Sequence, residues 1–308
     1  MADRQFTIDQ TEAGQRLDKL VIARLEGVGR KAARQLFEEG RVRVNGRRAS
    51  KGDVGHVGDE LSILLDQATS TEAVAEPGAP LSVRLETDLV VVVEKPAGQP
   101  TGPLRPGELG TLANALVARY PEMAAVGHSP REPGLVHRLD NDTSGLIIAA
   151  RTPEAFAALS QGLKLGKIDK AYQLVCASVD LPERSTIAIA LAHHPKDRRR
   201  MYACAHPRDV QRYAPRPAST AFRVLRANGP WAVVEASAKA ALRHQIRVHM
   251  AAIGHPLAND RLYGGTAVTD LKGHALHASR VAWEGDAVVP AFEVISPMPE
   301  AWSTVFGL

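Results

Sequence analysis

His137-Arg138-Leu139-Asp140-Asn141-Asp142-Thr143-Ser144-Gly145-Leu146 is the stretch on which the reading of this chain turns. Taken alone, Asp140 followed by Asn-Asp-Thr-Ser reads as an Asx turn, a loop held by its own side chains. A carboxylate placed there can instead serve as a nucleophile or a base. Asp142 is its local rival, better suited to stabilising the loop around Thr143 and Ser144. Beyond Gly145, Ile147 to Ala150 continues an apolar strand. Thr152 then caps a helix whose first position is Pro153. Upstream, Leu89 to Glu94 reads as a buried strand stopped by Lys95-Pro96, and Thr111 to Tyr120 as a helix. Downstream, Tyr172, Leu174 and Cys176 alternate on one strand face, with Val175, Ala177 and Val179 on the other. Asn228-Gly229 separates two further strands, and His244 to Ile253 forms a helix closed by Gly254. Strands and helices interleave without βαβ spacing. The expected class is α+β, with an extended mixed or antiparallel sheet in a large domain over 85–308.

Ahead of that domain lies a smaller unit. Leu17, Leu20, Val21 and Leu25 set a helix over about 15–26, and Ala33, Leu36 and Phe37 a second one ended by Gly40. Arg41 to Val44 alternates as a strand, Asn45-Gly46 is a tight-turn signal, and Leu61, Ile63 and Leu65 alternate again. This predicts a small α/β domain over 1–66. A linker over 67–84, rich in Ala, Thr, Glu, Gly and Pro, follows it.

The composition narrows the function. No apolar run approaches the roughly 20 residues of a membrane helix, and the start lacks the order of a secretory signal. No membrane partner and a cytoplasmic location are therefore expected. Two cysteines, Cys176 and Cys204, build neither a disulfide scaffold nor a cysteine zinc site. His244 and His249 fall about 140° apart on a helix, so no protein-bound metal is expected. P-loop, dinucleotide and nucleophile-elbow patterns are absent, which leaves no cofactor to expect. The net charge of +4 is small, but eight basic residues lie between Arg30 and Lys51 and seven between Lys196 and Arg216. Two such segments suit a polyanion as well as a solvated face.

The stretch quoted above resembles the HRLD signature of the RluA-type pseudouridine synthase family. Other segments match in order: Glu94 to Gly98, Lys170-Ala171-Tyr172, His244-Gln245-Ile246-Arg247-Val248-His249, Asn259 to Gly264 and Leu276-His277-Ala278. The likeness covers roughly 85 to 300. It implies an enzyme that converts uridine to pseudouridine in RNA, with Asp140 as the catalytic carboxylate. Tyr172 would pack against the target uracil, and Arg247 would pair with Asp140 and keep it charged. Arg138 would fill or brace the position vacated by a flipped base, or else contact phosphate or form a salt bridge. Lys170 would support the active site or contact phosphate. Two departures stand out. Asn141 occupies a place where a basic residue is common, and Ala240-Ala241-Leu242-Arg243 replaces a Thr-Gly-Arg-Thr-like run.

Gly14 to Asp66 resembles the RNA-binding domain named after small-subunit ribosomal protein four. That implies phosphate contacts from Arg30, Lys31, Arg34, Arg41, Arg43, Arg47 and Arg48, which position RNA more readily than they specify bases. Gly29 stands where a serine is usual, removing a cap or a hydroxyl contact. The combination implies a monomeric enzyme acting on structured RNA, foremost large-subunit ribosomal RNA. Transfer RNA is the alternative substrate, and a catalytically silent ribosome-assembly factor the non-enzyme alternative.

Overall fold

The computed structural model describes residues 2–25, 28–65, 72–238 and 242–307. The amino-terminal unit consists of β1 (Ala2–Thr7), α1 (Leu17–Arg24), α2 (Arg30–Glu38), β2 (Val42–Val44), β3 (Arg47–Arg48) and β4 (Glu60–Leu65). Its sheet runs β1-β4-β2-β3 and is antiparallel throughout. The expected helices and hairpin are present, and α1 is shorter than the 15–26 expected. Asn45 and Gly46 both take positive φ (49° and 78°), as a tight hairpin turn requires. Strand β1 was not anticipated. Its sequence, ADRQFT, is polar apart from Phe6 and carries no usable alternation, yet it forms the sheet's edge. Leu17, Leu20 and Val21 of α1 join Leu36 and Phe37 of α2 over Val42, Leu61 and Ile63 in a core of their own.

Part of the expected linker is built into the large domain. Residues 66–71 lie outside the described residues. After them, Ala73 N–H donates to the Pro130 carbonyl (2.9 Å), Asn114 Nδ2 to the Val74 carbonyl (2.7 Å), and Gly110 N–H to Glu76 Oε2 (2.7 Å). A strand, β5 (Ser82–Glu86), begins inside the expected boundary of 84. Composition suggested a spacer because the segment has no apolar period. Its backbone and Glu76 nevertheless find partners on the domain.

The large domain continues with β6 (Val90–Lys95), α3 (Leu112–Arg119), β7 (Ser144–Ala150), α4 (Pro153–Leu165), β8 (Ile168–Ala177) and β9 (Arg184–Ile187). A small hairpin, β10 (Leu191–His193) and β11 (Met201–Ala203), and α5 (Pro207–Tyr213) come next. The chain ends with β12 (Thr220–Asn228), β13 (Trp231–Ser237), α6 (Gln245–Ala252), β14 (Leu276–Trp283), β15 (Phe292–Ile295) and α7 (Glu300–Phe306). The main sheet runs β5-β6-β7-β14-β8-β13-β12-β9, with β15 also on β14. It is mixed, since β7 and β14 pair in parallel among otherwise antiparallel neighbours. Val90 to Val93 shows why a continuous apolar run suits its interior. Val91 and Val93 enter one core while Val90 and Val92 enter the core on the opposite face.

Two details place the Asp140 loop. Gly145 has φ of 110°, and a Cβ there would run into the Ala278 backbone. Only glycine lets β7 meet β14 so closely as the chain leaves the loop. On the far side of β7, Thr152 accepts from the Ala155 N–H and Pro153 starts α4, as the sequence indicated.

Candidate active site

The loop that carries Asp140 is held by its carbonyls. Thr101 Oγ1 donates to the Leu139 carbonyl (2.8 Å), and Thr143 N–H to the Asp140 carbonyl (3.1 Å). The Asn141 carbonyl accepts from Gly98 N–H (2.8 Å) and from Lys95 Nζ (2.9 Å). With the backbone pinned in this way, the Asp140 carboxylate takes no part in an Asx turn. It points instead to α6, where Arg247 Nη1 donates to Oδ2 at 2.7 Å.

Arg247 is itself gripped from behind. Its Nε and Nη2 donate to the two carboxylate oxygens of Asp260 at 2.7 and 2.9 Å. The guanidinium thus bridges two carboxylates: bidentate to Asp260, whose side chain is 1% exposed, and single to Asp140, whose side chain is 27% exposed. The pair of anions raises the Arg247 pKa further above its ordinary value despite burial. Burial alone would push the Asp140 carboxyl up. The neighbouring positive charge of His244 and Arg247, with the Arg247 hydrogen bond, outweighs it and holds Asp140 below the usual carboxylate range.

His244 precedes α6 in a left-handed conformation, φ 54°, which is costly for a residue with a side chain. The ring is locked there by Tyr263. His244 Nδ1 and the Tyr263 hydroxyl are 2.8 Å apart, and that hydroxyl accepts from Met201 N–H at 2.8 Å. His244 Nε2 then stands 3.6 Å from Asp140 Oδ2. Burial depresses the His244 pKa to about 4, so the ring carries its charge beside Asp140 only in acid and is neutral near pH 7, where Arg247 is the cation bonded to Asp140. His274, depressed to about 4 by burial, bonds Thr143 Oγ1 at 2.8 Å and closes the loop from its other side.

Tyr172 lies on β8 between two alanines of the adjoining strands, Ala236 and Ala278. Small neighbours leave its ring flanked by little bulk. Burial pushes its pKa up to about 12, with Asp140 contributing in the same direction, so it remains a neutral phenol. The structure therefore gathers Asp140, Arg247 and Tyr172 on one face of the sheet, although they are far apart in sequence.

Lys170 requires a correction. It is 4% exposed, and its ammonium has no hydrogen-bond partner, so it is no surface contact for phosphate. Burial depresses its pKa to about 8, and its charge helps to hold nearby His137 down at about 3. It lies on β8 opposite Val281 of β14, with its side chain turned inward. Arg138 is exposed and forms a 2.7 Å ion pair with Glu132. Arg243 donates to the carbonyls of Arg198 and Arg199 (3.0 and 2.9 Å). Ala240 and Ala241, half of the atypical run, lie outside the described residues.

Three residues that sequence reasoning left without a role belong to the site. Asp260 and Tyr263 sit in Asn259 to Gly264, a segment noted only for its resemblance. Lys95 is completely buried, and its ammonium donates to the carbonyls of Pro96, Gln99 and Asn141 at 2.9, 2.8 and 2.9 Å. Burial depresses its pKa to about 8, against the opposing pull of Asp142 and Asp140. A lysine ending the run Val90 to Val93 was the available signal for it.

On the amino-terminal unit, Arg30, Arg34, Arg43, Arg47 and Arg48 are exposed. The Lys31 side chain lies outside the described residues. Arg34 pairs with Glu38 and Arg41 with Glu39, both at 2.6 Å, and Arg48 Nη2 donates to the Glu38 carbonyl at 2.7 Å. Gly29 is the N-cap of α2, and no side chain caps that helix.

Residues 89–252, more than half of the chain, match the RNA pseudouridylate synthase family, and residues 15–61 match the S4 domain. An uncharacterized RNA pseudouridine synthase of Bacillus subtilis is 30% identical, over 96% of this chain and 94% of its own length. A ribosomal large subunit pseudouridine synthase D of Xylella fastidiosa is 32% identical, over 96% of this chain and 89% of its own. Among solved structures, human RNA pseudouridylate synthase domain containing 1 is 26% identical and superposes with a TM-score of 0.56, over 72% of this chain and 86% of that one. A mixed sheet with the Asp140 loop at its centre and an S4 domain ahead of it agree with these likenesses. The chain belongs to the RNA pseudouridine synthase family, and it is an enzyme that isomerises uridine in RNA.

Proposed function

We propose that the enzyme modifies uridine in large-subunit ribosomal RNA, with Asp140 as its catalytic carboxylate. The substrate choice rests on relatives from several bacteria that are ribosomal large subunit pseudouridine synthases and align along nearly the whole chain. The assignment of Asp140 rests on one observation: an ionised carboxylate, still partly open to solvent, fixed by a buried arginine that a second carboxylate holds.

The chemistry asks for that arrangement. The bond between C1′ of the ribose and N1 of uracil breaks, and a bond from C1′ to C5 forms. The C5 proton leaves and N1 gains one, so the reaction is an isomerisation without redox change. Asp140 starts it either by attacking C1′ or by removing a sugar proton, and both routes need the carboxylate charged. Arg247 keeps it charged, and Asp260 stops the guanidinium from turning away. Tyr172, as a neutral ring, supplies a surface for the detached uracil. A stacked uridine must first leave its helix at a cost of a few kcal/mol. Arg138, exposed beside the loop, braces the gap once it exchanges Glu132 for RNA.

Pseudouridine maps of ribosomal and transfer RNA would test this in cells with the gene, without it, and with Asp140→Asn. At least one large-subunit position should lose its modification in both altered strains, while the variant protein still binds RNA. Retained modification in the Asp140→Asn strain would remove the catalytic assignment. Loss confined to transfer RNA would replace the substrate.

A further inference from the structure

The chain has few aromatic residues, 5% in all, and five tyrosines. Tyr120, Tyr172 and Tyr263 are buried. Tyr202 and Tyr213 are only half-buried and lie together on the β10–β11 hairpin and α5. They form a ladder. The His194 and Tyr202 rings meet edge to face with centroids 6.0 Å apart, and Tyr202 and Tyr213 do so at 5.8 Å. The Arg212 guanidinium covers Tyr213 at 5.4 Å. The hairpin is seated by a different set, Leu191 and Met201 against Val248 and Tyr263, to which neither ladder tyrosine belongs.

The ladder stands among positive charges. Seven basic residues lie between Lys196 and Arg216, and both acids of the segment are used locally. Asp197 pairs with Arg199 at 2.9 Å, and Asp209 accepts from the Tyr202 hydroxyl at 3.0 Å. Among the described residues, Arg199 is the one of the seven that is ion-paired. The hairpin is also hooked to the catalytic face. Met201 N–H bonds the same Tyr263 hydroxyl that holds His244, and Arg200 and Arg247 both lie over the Tyr263 ring, at 5.6 and 5.2 Å.

We propose that Tyr202 and Tyr213, with His194 at the end of the ladder, form a stacking platform for unpaired bases of the substrate RNA that flank the target uridine. Arg198, Arg208 and Arg212 hold their phosphates. Aromatic faces stack any base and arginines track the backbone, so the platform favours single strands without reading sequence. This rests on the reading of the protein as an RNA-modifying enzyme and adds where the RNA beside the target is held.

Binding of the full-length protein to a labelled oligouridine and to a blunt RNA duplex of equal length tests it. The double variant Tyr202→Ala, Tyr213→Ala should bind the oligouridine about tenfold more weakly and the duplex almost unchanged. The variant Tyr213→Phe keeps the ring and should retain oligouridine binding. In the synthase reaction the double variant should raise KM and leave kcat near its starting value. Unchanged oligouridine binding by a double variant with an unaltered melting temperature would overturn the platform, as would equal weakening on the duplex. Neither result touches the synthase assignment, which stands or falls on Asp140→Asn.

Discussion

Two arginines of this protein meet carboxylates at almost the same distance. Arg34 reaches Glu38 on α2 at 2.6 Å, with side chains 64% and 60% exposed. Arg247 reaches Asp260 at 2.7 Å, with side chains 8% and 1% exposed. The first pair is solvated and screened, and holds the fold together little. Arg34 can exchange it for another anion at little cost. Breaking the second strands a carboxylate in the core, so Arg247 stays where Asp140 needs it. Nearly equal distances thus accompany an exchangeable single bond in the S4 domain and a fixed, buried bidentate one in the catalytic domain.

Acid should separate the two regions most strongly. Burial holds the folded pKa of His137 at about 3 and those of His244 and His274 at about 4, against an ordinary 6.5. A depressed folded pKa means the unfolded chain binds the extra protons. The stability these rings contribute is complete above about pH 6.5 and is lost as pH falls toward 4. In the S4 domain the lowered groups are the carboxylates Asp9, Glu12, Asp18 and Asp59, and their contribution is lost only as pH falls below the usual carboxylate range. Hydrogen exchange followed from about pH 7 to about pH 4.5 should therefore show β7, β8 and α6 opening before β4. Simultaneous opening, or β4 first, would break the contrast.

The arginines themselves give the next largest effect. Arg247→Met should cost about 3–5 kcal/mol in urea unfolding, because Asp260 is left buried and unpaired. Arg34→Met should leave the urea midpoint almost unchanged. Arg247→Lys should recover little of the loss, since one ammonium cannot hold Asp260 by two parallel bonds and still reach Asp140. Similar costs for Arg247→Met and Arg34→Met would mean that burial does not set the value of these pairs.

The same division explains what could be read from the chain. Periodicity located α2 and β8, a continuous apolar run located β6, and the Asn228-Gly229 turn marked the β12–β13 hairpin. The strand β1 and the docked part of the linker were missed, since they dock through backbone and polar bonds and a few scattered apolar side chains (Phe6, Ala73, Leu81, Val83) that make no sustained period. Asp140, Tyr172 and Arg247 could be named through their resemblance to a family motif. Asp260 could not be paired with Arg247 by any local pattern, because only folding brings the loop after α6 behind the guanidinium. Lys170 was left open between supporting the active site and contacting phosphate, and only its place on β8, opposite Val281 of β14, shows it turned inward.

Lys95 lies between the two extremes. Its ammonium satisfies three carbonyls, one of them that of Asn141 beside Asp140. Lys95→Met should cost about 1–3 kcal/mol, as buried acceptors lose their donor. It should also lower synthase turnover more than it lowers RNA binding, because the Asp140 loop loses one of its backbone anchors. Weakened RNA binding with unchanged turnover would place Lys95 on the RNA path instead.

The smallest effect belongs to the exposed region. Gly29 caps α2 with no side chain, its φ of −80° suits any residue, and a Cβ there meets open space. Gly29→Ser should let a hydroxyl accept one of the free N–H groups in the first turn, adding a few tenths of a kcal/mol. Slower hydrogen exchange in α2, with β7 and α6 unchanged, is the expected sign. The gain is small because water already serves those amides, just as it serves Arg34 and Glu38. A gain above about 2 kcal/mol would show that this end of α2 is shielded from solvent, and the contrast with the buried Arg247 pair would then have to be redrawn.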